Sequence, residues 1–218
     1  MKDTPLKFDY CFPTPIYYVE IPNYLSLLNK ISDEYIKQAK KENNLKIKNR
    51  NKKFKKDIKD HGLSHNSTSI INDTRIKEFQ NFIKESSFII LENQGYDMLN
   101  HKLFFSEMWV QEFAKVGGGH HEAHIHSNNH ISGFYFLKCS ENTSRPVFHD
   151  PRPGKIMTDL PQKNILDINF STNKMFYKVK PGTLIFFNSY LPHQFEVDNG
   201  IDPFRFIHFN LRAVPSNL

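Results

Sequence analysis

Six of the eleven histidines in this chain fall between His120 and His149. Two of them, His124 and His126, stand two residues apart, and residues two apart on a β-strand project from the same face. Such a pair can grip one metal ion if a third ligand arrives from elsewhere. His193 is that candidate: it follows Gly182-Thr-Leu-Ile-Phe-Phe187 and Pro192. Twelve residues on comes Arg205, in Pro203-Phe-Arg-Phe-Ile-His-Phe-Asn210. Imidazoles gathered on one side of an ion leave its other side open to co-substrate and oxygen. That arrangement suits non-haem Fe(II) chemistry.

A carboxylate would complete the commoner two-histidine set, and Asp150 in Phe148-His-Asp-Pro-Arg152 is placed to compete for that role. Three readings stand open. Asp150 supplies a ligand oxygen in place of His126; it accepts an N–H from a ligand imidazole and fixes its tautomer; or it is a turn residue before Pro151. With His126 as third ligand, the metal site is one unit more positive. His120, His121 and His130 are weaker ligand candidates. Strand alternation turns His149 and His208 away from their neighbours Asp150 and Arg205. Arg205 sits among Phe204, Phe206, Ile207 and Phe209, so it reads as buried, and a buried guanidinium needs an anionic partner. The carboxylate of a bound co-substrate fits its planar fork.

The elements that must position these groups fall into two halves. With 218 residues the chain can bury one sizeable core, and no linker is clear enough to divide it. In the first half, residues 1–103, the run Phe12-Pro-Thr-Pro-Ile16 enters a strand that reaches Ile21. A helix is predicted from Asn23, a plausible N-cap, to about Glu42, with Leu25, Leu28, Ile31, Tyr35 and Ala39 at helical spacing. Lys46–Lys59 carries eight basic residues and one acid and reads as an exposed loop. A second helix is predicted from Asp73 to Leu91, closed by Gly95.

After residue 103 the pattern changes to strands: 104–116, 121–126, 131–138, 145–148, 175–179, 183–188, 194–197 and 204–211. Gly117-Gly-Gly119, Pro181-Gly182 and Asp198-Asn-Gly200 punctuate them. Helices followed by many short strands predict a mainly β protein with N-terminal helices, its core a double-sheet jelly roll of the cupin type over residues 104–214. A net charge of +6 does not by itself mark a nucleic-acid binder. Two cysteines, Cys11 and Cys139, exclude a disulfide framework. No apolar run is long enough for a membrane span, and the opening residues lack a signal-peptide core, so a cytoplasmic protein is expected, in the host cytoplasm if the source is viral.

These residues resemble the 2-oxoglutarate/Fe(II)-dependent dioxygenase superfamily, and within it the small phage and bacterial oxygenases similar to prolyl 4-hydroxylases. The likeness rests on His124-Ile-His126, Phe136-Leu137, Gly182-Thr-Leu-Ile-Phe-Phe187, His193 and Arg205. Ile131-Ser-Gly-Phe-Tyr-Phe-Leu137, Phe148-His-Asp-Pro-Arg152 and Phe12-Pro-Thr-Pro-Ile16 add the phage-type flavour. The resemblance implies a double-stranded β-helix and Fe(II) held by His124, His126 and His193, with Asp150 the alternative. It also implies 2-oxoglutarate anchored by Arg205, and O2 consumed as succinate and CO2 form. Two positions depart from the family pattern: His126 stands where an Asp is usual, and Phe136 where a Tyr often touches 2-oxoglutarate. Ser132, Asn188 or Tyr135 is then asked to supply the missing donor, although alternation turns Tyr135 away.

Three functions follow as expectations. The first is a hydroxylase of an unidentified protein side chain or small molecule. The second is a nucleic-acid dealkylase or hydroxylase that holds phosphates with Lys46–Lys59. The third is a catalytically silent, metal-binding jelly roll.

Overall fold

The computed structural model of this chain describes Lys7, residues 9–158 and residues 160–217. Most of the opening residues read for a leader sequence lie outside that set. Among the described residues, ten strands form two antiparallel sheets: β1 (Ile16–Glu20), β2 (Ser64–Asn66), β3 (His101–Phe113), β4 (His121–His124), β5 (Ile131–Lys138), β6 (Pro146–His149), β7 (Lys174–Phe176), β8 (Thr183–Asn188), β9 (His193–Phe195) and β10 (Arg205–Pro215). The larger sheet runs in the order β1-β8-β5-β10-β3-β2 and the smaller in the order β4-β9-β6-β7. This is the jelly roll expected from the strand pattern.

Helices α1 (Leu25–Phe54) and α2 (Lys77–Asn93) cover the outer face of the large sheet, and a short α3 (Pro153–Met157) precedes β7. The outer core is mostly aliphatic. Leu28, Ile31 and Ile36 of α1 and Ile83 of α2 join one buried cluster with Val110, Leu184 and Ile207 of the sheet. The inner core, between the sheets, is mostly phenylalanine: Phe113, Phe134, Phe136, Phe148, Phe187 and Phe206 lead it. Alternation along β5 divides the two, with Ile131, Tyr135 and Leu137 in the outer cluster and Phe134 and Phe136 in the inner one. Gly133 lies between them because a Cβ there would stand 2.2 Å from the Phe209 ring.

Helix α1 departs from expectation. The basic run was expected as a loop from Lys46, yet residues 46–54 are the last turns of a 30-residue helix. Neither Gly nor Pro occurs between Pro22 and Gly62, and lysine, arginine and leucine are good helix formers. Lys52 and Lys53 in the last turn also complement the negative end of the helix dipole. Lys55 ends the helix in the left-handed region at φ 52°. Asn23 is not the N-cap: it lies inside a 3-10 turn, Pro22–Tyr24, that leads into α1. The second helix starts close to where it was predicted, with the Asp73 carboxylate accepting from the Arg75 N–H ahead of it.

Candidate metal centre

Strands β4 and β9 pair antiparallel and set His124 directly opposite His193, their ring centroids 4.5 Å apart. His126 lies just beyond the end of β4. Its backbone N–H donates to the Ser189 carbonyl at 2.9 Å instead of joining the ladder. That turn swings its ring to 5.0 Å from both His124 and His193. One ligand nitrogen from each of the three lies within 4.8 Å of the other two. The same-face argument therefore picked residues that converge, although β4 stops before His126.

Backbone carbonyls set two of the tautomers. His193 Nδ1 donates to the Leu191 carbonyl at 2.9 Å, and His124 Nδ1 donates to the Glu122 carbonyl at 2.7 Å. Each ring then carries its proton on Nδ1 and presents a bare Nε2, which is how a ligand imidazole is oriented. His126 Nε2 stands 3.2 Å from His193 Nε2, and in the metal-free chain its N–H donates to that lone pair. Burial pushes His126 down to about 4, helped by His124 and His121. Burial takes His193 to about 3, with only the Leu191 carbonyl pulling the other way. These imidazoles are neutral at pH 7, the form that binds a metal.

Sequence reasoning missed several residues of this chamber. On β10, Phe206, His208 and Asn210 face inward, and His208 is 2% exposed. Its ring lies 4.6 Å from that of His126 and 4.4 Å from that of Trp109. Burial drives its pKa well below the ordinary value. Across from it on β3 stand Glu107, Trp109 and Gln111. Gln111 Nε2 contacts His121 Nε2, and burial takes His121 down to about 4. The alternation Glu107-x-Trp109-x-Gln111 in an apolar strand was the available signal.

Arg205 is placed elsewhere. It lies on the outer face with Ile207 and Phe209, and its guanidinium is fully engaged. Nε donates to Glu112 at 2.6 Å, and Nη1 donates to Ser32 Oγ at 2.8 Å and to Asp33 at 2.5 Å, both on α1. Its anionic partners are side chains of this chain, one of them its cross-strand neighbour on β3. Burial alone would raise the pKa of Glu112, and Arg205 and Lys40 more than offset it. Asp150 is likewise not brought to the histidines. Its side chain pairs with Arg152 at 2.7 Å and Lys155 at 3.5 Å, and Arg152, aided by backbone contacts, holds its carboxyl at about 2 despite burial. With Arg152 it lines a cleft of about 230 Å³ that none of the triad histidines lines.

Of the three candidate co-substrate donors, Ser132 reaches the chamber, and Asn188 and Tyr135 do not. Ser132 Oγ donates to Asn210 Oδ1 at 2.6 Å. Asn188 points to the helix side, where its amide pairs with that of Gln94. Tyr135 donates to the Ile21 carbonyl on that same outer side.

The residues present fit a metal: three imidazoles converge and two have their tautomers set from behind. They do not offer 2-oxoglutarate the expected grip. Arg205 is the one buried arginine or lysine among the described residues, and it faces the helices. The inner face at that point carries Phe204 and Phe206 instead.

Comparison with known proteins bears on the same segment. Residues 107–210 match the family model described as "Putative 2OG-Fe(II) oxygenase". No curated protein matches the sequence. Among solved structures, a Pseudomonas putida prolyl-4-hydroxylase shares the fold at TM-score 0.54 and 8% identity, over 91% of this chain and 93% of that one. A viral collagen prolyl hydroxylase from Paramecium Bursaria Chlorella virus-1 gives TM-score 0.49 at 11% identity, over 90% and 96% of the two chains. An oxidoreductase of the 2OG-Fe(II) oxygenase family from Burkholderia pseudomallei gives 0.43 at 12% identity over 64% of this chain, which spans only 57% of that protein. The segment similar to that family, residues 107–210, holds all three converging histidines.

Proposed function

We propose that this chain is an Fe(II)-dependent oxygenase that hydroxylates a protein side chain or a small molecule, with His124, His126 and His193 as the metal ligands. The convergence of three imidazoles inside the matched segment carries this reading. Bound Fe(II) would supply the oxygen chemistry, and the family implies 2-oxoglutarate as the co-substrate consumed with it.

The chain's own residues have definable tasks. The Leu191 and Glu122 carbonyls hold His193 and His124 with Nε2 forward. Phe134, Phe148 and Phe187 pack within 6.2 Å of the His193 ring, centroid to centroid, and keep bulk water from that side of the metal. Ser132 and Asn210 form a polar floor beneath His126.

The test is anaerobic Fe(II) titration of the wild type and His193→Ala, followed by assay of succinate with 2-oxoglutarate and oxygen. Stoichiometric Fe(II) binding that His193→Ala abolishes, together with succinate formation by the wild type, is the expected result. Unaltered Fe(II) affinity in a folded His193→Ala protein would reject the ligand set. Metal binding without any succinate would reject the oxygenase reading and leave the silent jelly roll.

A further inference from the structure

We propose that Glu107, His126 and His208 form a second divalent-cation site beside the three-histidine one, with His126 shared between the two. One ligand atom from each of these residues lies within 4.8 Å of the other two, and the set is two imidazoles and one carboxylate. Such a donor set suits Zn(II), Fe(II) or Mn(II).

Three observations carry the proposal. The first is an unsatisfied group. His208 Nε2 is buried and has no hydrogen-bond partner among the described residues, and its residue is only 2% exposed. A buried polar nitrogen without a partner costs stability, and a cation offers it one. The second is the two-sidedness of His126. Its Nε2 is 3.2 Å from His193 Nε2, and its Nδ1 is 3.2 Å from Asn210 Nδ2 on the opposite edge of the ring. The two nitrogens of an imidazole can ligate two different ions. The third is the group between the acceptors. Asn210 Nδ2 donates both to Glu107 Oε2 and to His126 Nδ1, so the two partly positive hydrogens of one neutral amide already bridge the carboxylate and the ring. A metal ion would replace those amide hydrogens, with the Asn210 amide turning aside.

When both ions are held, His126 gives up its one ring proton to solvent and bridges them as an imidazolate. The proposal touches the three-histidine reading only through His126, and the two can fail separately. Glu107 is exposed and its substitution leaves the cores intact, so Glu107→Ala is the main probe and His208→Ala the second.

Zn(II) bound per chain is measured by equilibrium dialysis and elemental analysis for the wild type, Glu107→Ala, His208→Ala and His193→Ala, with folding checked by circular dichroism. Two ions in the wild type and one in each variant is the expected result. Cu(II) loaded into both sites of the wild type should show an electron paramagnetic resonance signal weakened by coupling through the bridge. Saturation of the wild type at one ion, or two ions retained by folded Glu107→Ala, would overturn the second site. Failure of His193→Ala alone to lose an ion would instead reject the three-histidine set.

Discussion

The two faces of the large sheet solve the same problem in opposite ways. On the helix side, a buried charge is saturated: Arg205 meets Glu112, Asp33 and Ser32 at 2.5–2.8 Å. On the chamber side, one residue position away along β10 and again at His208, the groups are phenylalanine or neutral imidazole, and His208 Nε2 has no partner among the described residues. A saturated network ties an element in place. An unsaturated one is available to a ligand. Arg205 is therefore tied into the architecture, whereas His208 is left with a nitrogen free to take part in the proposed metal chemistry.

Acidification should break this contrast most severely, because several imidazoles act together. In the unfolded chain a histidine titrates near 6.5. In the folded metal-free chain His121 and His126 hold off protonation to about 4 and His193 to about 3, with His208 also well below its ordinary value. The unfolded state thus binds more protons across that window. Their contribution is fully present above about pH 6.5 and is lost as pH falls toward 3. Urea midpoints of the metal-free protein should drop steeply between pH 7 and pH 5. A flat profile would mean the histidines are not held neutral.

Opening the saturated side comes next. Glu112→Ala leaves Arg205 buried against Asp33 alone, and breaking a buried ion pair costs about 3–5 kcal/mol. Arg205→Ala should destabilise the fold comparably while Fe(II) and 2-oxoglutarate affinities stay within about twofold, a change of less than 0.5 kcal/mol. A loss of 2-oxoglutarate affinity of tenfold or more in Arg205→Ala, with stability retained, would return the arginine to the co-substrate.

On the unsaturated side, His193→Ala should weaken Fe(II) binding by about a hundredfold, near 2.7 kcal/mol, with little change in folding of the metal-free chain. Isothermal titration under anaerobic conditions reads this directly. The smallest effect is expected at the exposed lysines of residues 46–56. Binding of a random-sequence oligonucleotide should be weak and lost by 150 mM salt, as counterion release dictates. Retention at that salt would favour a nucleic-acid substrate.

Much of this was legible in the sequence. Strands β5 and β8 occupy the spans predicted for them, and the three histidines converge as their spacing suggested. The orientation of β10 was not legible, for a physical reason. Phe204, Phe206 and His208 on one face and Ile207, Phe209 and Leu211 on the other are both buried, so no polar-apolar alternation says which face looks inward. A register shift between Arg205 and Phe206 against β5 adds to the difficulty. The partner of Arg205 was hidden because Glu112 is adjacent only across strands. The length of α1 was misjudged because charge density was read as disorder, when nothing in residues 46–54 breaks a helix.

The pairing of β1 with β8 sets a timetable. Ile16 opposes Phe187, so the first strand has no sheet neighbour until synthesis has reached Phe187. At about 5–20 residues per second, that is a delay of roughly ten to thirty seconds. Leu28, Ile31 and Ile36 on α1 and Phe79 and Ile83 on α2 share the wait, because the outer cluster they join includes residues of β5, β8 and β10. A nascent chain of this protein therefore carries an unpaired first strand and a partly open outer core until β5, β8 and β10 have been made. Its yield in a cell should respond more to translation speed and chaperone supply than to the stability of the finished fold.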